Sequence, residues 1–161
     1  MLHLVIDIAM HVIIEMPKGD TRRRHLKYDK SGIIDLGLIR DSIPVNDGVM
    51  PVAYGYIPDT VDVGEGDDVD VLVFSGRAFA VGEAVDVRVI GLLRRADGDH
   101  KVVAVERTSS AVSAYEDVSA AERTLIEEFF GYHHKIVAVE DADDARQFVD
   151  ACRMRDNGAV A

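Results

Sequence analysis

The sequence predicts a mainly β fold of the α+β class, in which a small β-barrel is followed by two packing α-helices. Three observations indicate this class. Short β-rich segments separated by turn signals fill the first two thirds of the 161-residue chain. After about residue 119 the apolar period changes from that of a strand to that of a helix. No internal repeat, low-complexity segment or linker interrupts the sequence, so residues 1–161 are expected to form a single domain.

The predicted strands follow one another between turns rich in Gly, Pro and Asp. The first strand stops at Pro17. The segment DKSG, with Gly32 expected in the left-handed conformation, joins two strands as a hairpin. ADGDHK joins the last two strands as a tight acidic turn, and DSIPVNDGVMP is expected to be a loop. The predicted strands are Val12–Glu15, His25–Asp29, Ile33–Leu36, Val69–Phe74, Ala84–Leu93 and Val102–Glu106.

Two helices are predicted in the last third of the chain. The first begins at SAAE, Ser119–Glu122, which is a capping box. The second begins after a cluster of acidic residues, which favour the positive end of a helix dipole. The apolar face of the first helix comprises Ala121, Leu125, Ile126, Phe129 and Phe130. That of the second comprises Ala145, Phe148, Val149 and Cys152, preceded by Asp141, Asp143 and Asp144.

Charge and composition exclude several classes of function. The formal net charge of −11 argues against nucleic acid or an anionic membrane as a partner. One cysteine, Cys152, allows no internal disulfide, which suits a reducing compartment. The apolar start of the chain lacks a basic n-region, is interrupted by Asp7 and His11, and falls short of the roughly 18 apolar residues of a membrane span. We therefore expect a strand there, and a cytoplasmic protein.

Two acidic turns lie at predicted strand ends. An acidic turn that contains glycine is often merely solvated. Asp70, however, follows Val69 and precedes four apolar residues, so it is expected at the mouth of a strand, where an unpaired carboxylate is costly to desolvate. Oxygen ligands without cysteine or clustered histidine indicate a hard cation such as Mg²⁺ or Mn²⁺. The acidic residues are Glu65, Asp67, Asp68 and Asp70 in the first turn, and Asp97 and Asp99 in the second.

Basic residues could complement these acids. RRRHLK, Arg22–Lys27, has two interpretations: a charged edge strand that resists aggregation, or a phosphate clamp that faces a metal site. Arg40 and Lys101 are further candidates for such a clamp.

Several segments together resemble one family. VIIEMPKGD, MPVAYGYIPDT, GEGDDVDVLV, VRVIGLL and DGDHKVVAV, in this order and spacing, resemble the soluble family I inorganic pyrophosphatases. The resemblance runs from about Val12 to the end of the first helix. It implies an OB-like five-stranded β-barrel with packed helices, and Mg²⁺-dependent hydrolysis of pyrophosphate to two phosphates. It also implies a homo-oligomer, since bacterial members are usually hexamers.

The resemblance implies a set of metal ligands. By motif, Glu65, Asp70 and Asp99 would hold the metals that activate water. Asp97 would help to hold a further metal that bridges the phosphates. The metal expected is Mg²⁺, with Mn²⁺ as a possible substitute.

The resemblance also implies roles toward substrate. Asp67 matches the carboxylate regarded as the general base, Glu15 would orient metal-bound water, and Tyr54 would contact the reacting phosphate. The residues expected to bind pyrophosphate or phosphate are Lys27, Arg40, Tyr54, Lys101, His133 and His134.

Three departures from the family pattern affect this site. Glu65 stands where the family usually has Asp, and Met50 stands where it has Tyr. Lys27 reproduces the family's Lys-Tyr pattern but lies several positions too far from Glu15. Spacing favours Arg23 or Arg24 instead, and an alternating strand cannot present both registers equally.

The fourth departure lies at the end of the first helix. The segment YHH replaces the family's HYK, so His133 replaces a Tyr and His134 a phosphate-binding Lys. Lys135 comes one position late and is expected to face elsewhere unless the helix has ended before it. Because the metal carboxylates remain and the losses fall on phosphate contacts, two interpretations stay open. One is a slow or altered-specificity pyrophosphatase, and the other is an inactive relative that still binds metal and phosphate. For the histidines a further interpretation stays open, namely a helix end that tolerates them without a role in the site.

Overall fold

The computed structural model describes residues 10–26, 31–62, 67–109 and 111–153. Within these ranges, five strands form a closed barrel. The strands of this part of the chain are β1 (Met10–Met16), β2 (Arg22–Leu26), β3 (Ile33–Leu38), β4 (Ala53–Asp62), β5 (Asp67–Phe74), β6 (Ala84–Arg95), β7 (Lys101–Glu106) and β8 (Ile136–Glu140). The helices are α1 (Ala120–Phe130) and α2 (Ala142–Cys152). None of the helices in these ranges is long and apolar enough to cross a membrane.

The barrel runs β1-β4-β5-β7-β6 and closes where β6 pairs with β1. All these pairings are antiparallel except that of β5 with β7, which is parallel. Strand β8 extends the sheet beyond β6, and β2 with β3 forms a separate hairpin. The OB-like α+β class predicted from the sequence is confirmed.

Alternation along each strand divides the core in two. Val71 and Val73 point into the barrel with Val102, and this inner cluster continues to α2 through Ala145 and Val149. The intervening side chains, such as Leu72 and Val103, point outward and pack against Phe129 of α1 in a second cluster. The outward face of β4, β5 and β7 therefore lies beneath α1.

Most predicted elements are confirmed, with small shifts of their ends. The side chain of Ser119 accepts a hydrogen bond from the backbone N–H of Glu122, which is one of the two bonds of the predicted capping box, and the Glu122 carboxylate accepts from the Ser119 hydroxyl. Asp141 caps α2 in the same way by accepting from the N–H of Asp144. Ala145, Val149 and Cys152 are buried along α2, as predicted.

Other expectations were wrong or incomplete. Gly32 does not adopt the left-handed conformation, whereas Gly19 in the preceding turn does. Strands β4 and β8 were not predicted. The expected loop before β4 contains a short 3-10 turn, Val45–Gly48, and a second one, Ile39–Asp41, leads into it. Asp70 lies within β5 rather than at its mouth. Residues 27–30 of the predicted hairpin lie outside the described residues.

Candidate active site

Strand register brings the central charged groups together. Asp70 on β5 lies opposite Lys101 on the parallel strand β7, and opposite Tyr56 on the antiparallel strand β4. Tyr54 is two residues from Tyr56, so its side chain shares the same outward face. Three different strands thus contribute to one cluster on the side of the barrel that faces α1.

The Lys101 ammonium group is the centre of this cluster. Its side chain is only 4% exposed. It donates to the hydroxyl of Tyr54 at 3.0 Å and to Oδ2 of Asp70 at 2.7 Å. It also lies 3.0 Å from Oδ2 of Asp99, in the turn between β6 and β7. Since an ammonium group has three donors, these three oxygens can satisfy it fully.

Burial and charge shift the acidities of these groups in different directions. Burial raises the pKa of Asp70 to about 6, although Lys101 opposes the shift. Burial, the largest single influence on Asp99, opposes its ionisation, but the charge and hydrogen bond of Lys101, together with Asp70 and Arg95, outweigh it, and the pKa of Asp99 is lowered. Burial, together with the negative charges of Asp70 and Asp99, raises the pKa of Tyr54 well above its usual value. The tyrosine therefore remains a neutral hydroxyl, able to donate a hydrogen bond.

An open cavity of about 450 Å³ adjoins the cluster. Its apolar wall includes Met50 and Phe130, and the ring of Phe130 stacks on that of Tyr54 with centroids 5.8 Å apart. Its polar lining comprises Arg23, Ser42, Tyr54, Arg95, Asp97, Asp99, Lys101, His133 and His134. A pocket of this size, with charged groups of both signs, can hold a small polyanion together with cations.

Comparison with known proteins identifies the family. The model of the family described as inorganic pyrophosphatase matches residues 12–156. The inorganic pyrophosphatase of Thermus thermophilus is 31% identical over 167 residues, which cover 93% of this chain and 91% of that protein. The chain belongs to the inorganic pyrophosphatase family. A relative from Xanthomonas axonopodis, also named inorganic pyrophosphatase, is 34% identical over 133 residues, covering 78% of this chain and 72% of its own length.

Solved structures of inorganic pyrophosphatases share this fold. That of the Thermus thermophilus protein superposes with a TM-score of 0.76 at 25% identity, covering 94% of this chain and 92% of its own. That of the Ehrlichia chaffeensis protein gives a TM-score of 0.78 at 25% identity, covering 91% and 94%. This chain therefore has the fold of an inorganic pyrophosphatase.

Seven of the residues expected from the pyrophosphatase resemblance meet at or beside the cavity. Tyr54, Asp70 and Lys101 form the hydrogen-bonded cluster described above. The other four are Asp97, Asp99, His133 and His134. Arg40 does not line this cavity: it is exposed in the 3-10 turn Ile39–Asp41, and Gly48 packs against its backbone.

Glu15 is buried where the β2–β3 hairpin joins the barrel. It is 2% exposed and accepts a hydrogen bond of 2.5 Å from the backbone N–H of Leu26. Its carboxylate also lies 3.7 Å from Nδ1 of His25. These contacts hold β2 so that Arg23 lines the cavity, while Arg24 bonds Asp20 at 2.9 Å. Of the two candidates favoured by spacing, Arg23 is thus the one that lines the cavity.

The two histidines at the end of α1 both line the cavity, but they make different contacts. Nε2 of His133 lies 2.6 Å from the carbonyl oxygen of Ser42 and so ties the helix end to the β3–β4 loop. Nε2 of His134 lies 3.6 Å from Oδ2 of Asp97. Lys135 lines a separate shallow groove between α1 and β8. Because α1 ends at Phe130, rotation within a helix is not the reason that Lys135 does not line this cavity.

Whether the site fits a metal ion depends on how close its carboxylate groups lie to one another. Oδ2 of Asp70 and Oδ2 of Asp99 contact the same nitrogen, so they lie close enough for one cation to contact both. The described residues contain no group of three His, Cys, Asp or Glu side chains placed to hold a metal ion. Glu65 and Lys27 lie outside the described residues, as does the side chain of Asp67. The carboxylate pair fits a hard divalent ion in the type of its donor atoms.

Sequence reasoning missed Arg95 as a lining residue. Arg95 ends β6, directly before the acidic turn, and its side chain is 12% exposed. Its only sequence signal is the pair of arginines that precedes ADGD. Alternation along β6 could have distinguished Arg95 from Arg94, since Arg94 instead pairs with Glu140 on β8.

Proposed function

We propose that this protein hydrolyses inorganic pyrophosphate to two orthophosphates with Mg²⁺ as its cofactor, for which Mn²⁺ can substitute. The observation that carries the proposal is the Lys101 cluster, with Tyr54, Asp70 and Asp99, beside a cavity lined by cationic side chains. Members of this family generally use a divalent metal, and the carboxylate pair is of the right chemical type to bind one.

The proposed metal ligands are Glu65, Asp70, Asp97 and Asp99. Divalent ions bound there would neutralise phosphate charge and lower the pKa of a water molecule. Asp67 is proposed to accept the proton that water loses as its oxygen bonds to phosphorus. Glu15 is proposed to orient water from its buried position beside the hairpin.

The remaining proposed residues bind the substrate. Lys101 and Tyr54 would each donate to a phosphate oxygen. As the bond between phosphorus and the bridging oxygen breaks, negative charge grows on the leaving phosphate, and fixed cationic donors stabilise it more than water can. The side chain of Arg23 also lines the cavity, and its positive charge supports this function. Lys27, Arg40, His133 and His134 are the further candidates for phosphate contact.

Phosphate release by the purified protein tests the proposal. The wild type is expected to release phosphate from pyrophosphate only when Mg²⁺ is present, and to release much less from tripolyphosphate or a nucleoside triphosphate. Asp70→Asn should abolish release while leaving the fold intact. Wild-type protein that binds pyrophosphate in calorimetry without hydrolysing it would instead identify an inactive binding protein.

The proposal extends to location and assembly. We propose a cytoplasmic homo-oligomer, with a hexamer as the state implied by the family resemblance. Light scattering coupled to size-exclusion chromatography should give six times the 17.7 kDa chain mass. A mass equal to that of one chain would refute the oligomer.

A further inference from the structure

Arg95 is a cation of the cavity that the family resemblance does not assign. Its NH1 nitrogen lies 3.3 Å from Oδ2 of Asp99 and 3.4 Å from the carbonyl oxygen of the same residue. Its NH2 nitrogen lies 3.6 Å from Oδ2 of Asp97. Its Nε is buried and has no hydrogen-bond partner among the residues that the structure describes. All these contacts are longer than the 2.7–2.9 Å typical of charge-assisted hydrogen bonds.

A second arginine of the chain, Arg77, makes the short hydrogen bonds that Arg95 lacks. Arg77 donates from Nε to Glu106 at 2.8 Å and from NH2 to Glu83 at 2.7 Å. Those short contacts hold the loop after β5 in place. Arg95 is more deeply buried than Arg77 but is bonded more loosely, since the side chains are 12% and 48% exposed. A buried guanidinium that lines a cavity and makes only long contacts there has the capacity to bind an anion.

The position of Arg95 relates directly to the altered end of α1. Its NH2 nitrogen and Nε2 of His134 approach the same oxygen, Oδ2 of Asp97, each at 3.6 Å. The guanidinium therefore lies beside the residue that replaces the lysine expected at this site. An arginine is always charged, and its planar guanidinium group matches the geometry of a phosphate group.

We propose that Arg95 binds a phosphate group of the substrate, beside the position at which His134 replaces the lysine of the family pattern. The inference rests on the proposed function, because it names a residue for the same phosphate site. A guanidinium can bind two phosphate oxygens side by side, which a single ammonium group cannot do. In the absence of substrate, the loose contacts with Asp97 and Asp99 hold Arg95 in the cavity wall.

Four proteins test the role of Arg95: the wild type, Arg95→Gln, Arg94→Gln and the double variant Arg95→Gln with His134→Lys. Arg94 is the matched control, because it lies one position earlier on the same strand but pairs with Glu140 away from the cavity. For each protein, KM and kcat for pyrophosphate are measured at saturating Mg²⁺. The affinity for imidodiphosphate, a non-hydrolysable analogue, is measured by calorimetry, and the fold is checked by thermal unfolding.

Arg95→Gln is expected to weaken analogue binding and raise KM by about tenfold to a hundredfold, the usual effect of losing a hydrogen bond between charged groups. Arg94→Gln should change neither. The double variant should recover much of the lost affinity, because its lysine restores a permanent charge at position 134. If Arg95→Gln does not fold, Arg95→Lys is measured instead, and an intermediate loss is expected because the bidentate contact is lost.

Other outcomes would overturn the inference. If Arg95 only braces the turn at residues 97–99, its loss will lower the unfolding temperature or kcat, leave analogue affinity unchanged, and not be rescued by His134→Lys. Wild-type protein that binds imidodiphosphate without hydrolysing pyrophosphate would overturn the proposed function, while the loss of binding in Arg95→Gln would still support Arg95. If the wild type binds no analogue, both the proposed function and the role of Arg95 are refuted.

Discussion

Replacing Asp70 by asparagine is expected to abolish catalysis and yet to stabilise the metal-free protein. The Asp70 side chain is only 18% exposed, and its burial raises its pKa to about 6 despite the Lys101 nitrogen 2.7 Å away. In an unfolded chain the same carboxyl group titrates near 3.9. At neutral pH, therefore, keeping Asp70 ionised costs the folded protein more free energy than it costs the unfolded chain.

The size and sign of the effect follow from these two pKa values. At about 1.4 kcal/mol for each tenfold change, the difference between about 6 and about 3.9 corresponds to roughly 3 kcal/mol. A carboxyl group whose folded pKa is raised contributes its stability fully below the unfolded pKa and loses it as the pH rises through the folded pKa. The asparagine variant does not titrate. It should match the wild type at pH 4 and exceed it by about 2–3 kcal/mol at pH 8.

Urea unfolding in EDTA at several pH values between 4 and 8 measures this difference. Asp150→Asn is a suitable control, because it makes the same chemical change at a carboxylate that is 77% exposed on α2. Phosphate release with Mg²⁺ is measured in parallel and should be lost only in Asp70→Asn. Parallel stability curves for the wild type and Asp70→Asn, or a less stable variant at pH 8, would refute the reasoning about burial.

Three further predictions concern the frame around the site. Ser119→Ala removes the cap of α1 and should lower the free energy of unfolding by about 1 kcal/mol in urea titrations; an unchanged midpoint would contradict the role of the cap. Gly55→Ala would place a methyl group 2.1 Å from the carbonyl oxygen of Ile13, so we expect little soluble folded protein, and a normal yield would show that β1 and β4 can separate. Arg77→Gln should destabilise the protein above about pH 4.5, because the Arg77 guanidinium lowers the pKa of Glu106. The difference from wild type should vanish as the pH falls through that lowered value, and a difference independent of pH would exclude the ion pair as its cause.

Local patterns in the sequence were sufficient for the elements whose signals are local. The N-caps of the two helices depend on contacts three residues apart, and both Ser119 and Asp141 make them. Strand β8 was missed because its five residues follow closely on α1 and bury no complete face, with Val137 60% exposed. Gly32 was misjudged because a hairpin turn depends on the register of both strands as well as on its glycine.

The acidic turns and the family motifs together identified most of the candidate site from the sequence alone. They indicated that Asp70 and Asp99 should converge with Glu65 on a metal ion, and the structure brings Asp70 and Asp99 together at the ammonium group of Lys101. The reason is that carboxylates crowded against apolar strands require a cationic partner, whether a metal ion or an ammonium group. The sequence could not show which of these neighbours each carboxylate contacts.

Only the tertiary structure decided how the strands pair and which cations line the cavity. Periodicity reports which side chains share a face, but it does not report which strand lies alongside. The parallel pairing of β5 with β7 places Asp70 opposite Lys101 across about thirty residues of intervening chain. Arg95 enters the cavity because the turn after β6 and the end of α1 meet at Asp97. Such contacts depend on segments far apart in the chain, and a local sequence pattern therefore does not predict them.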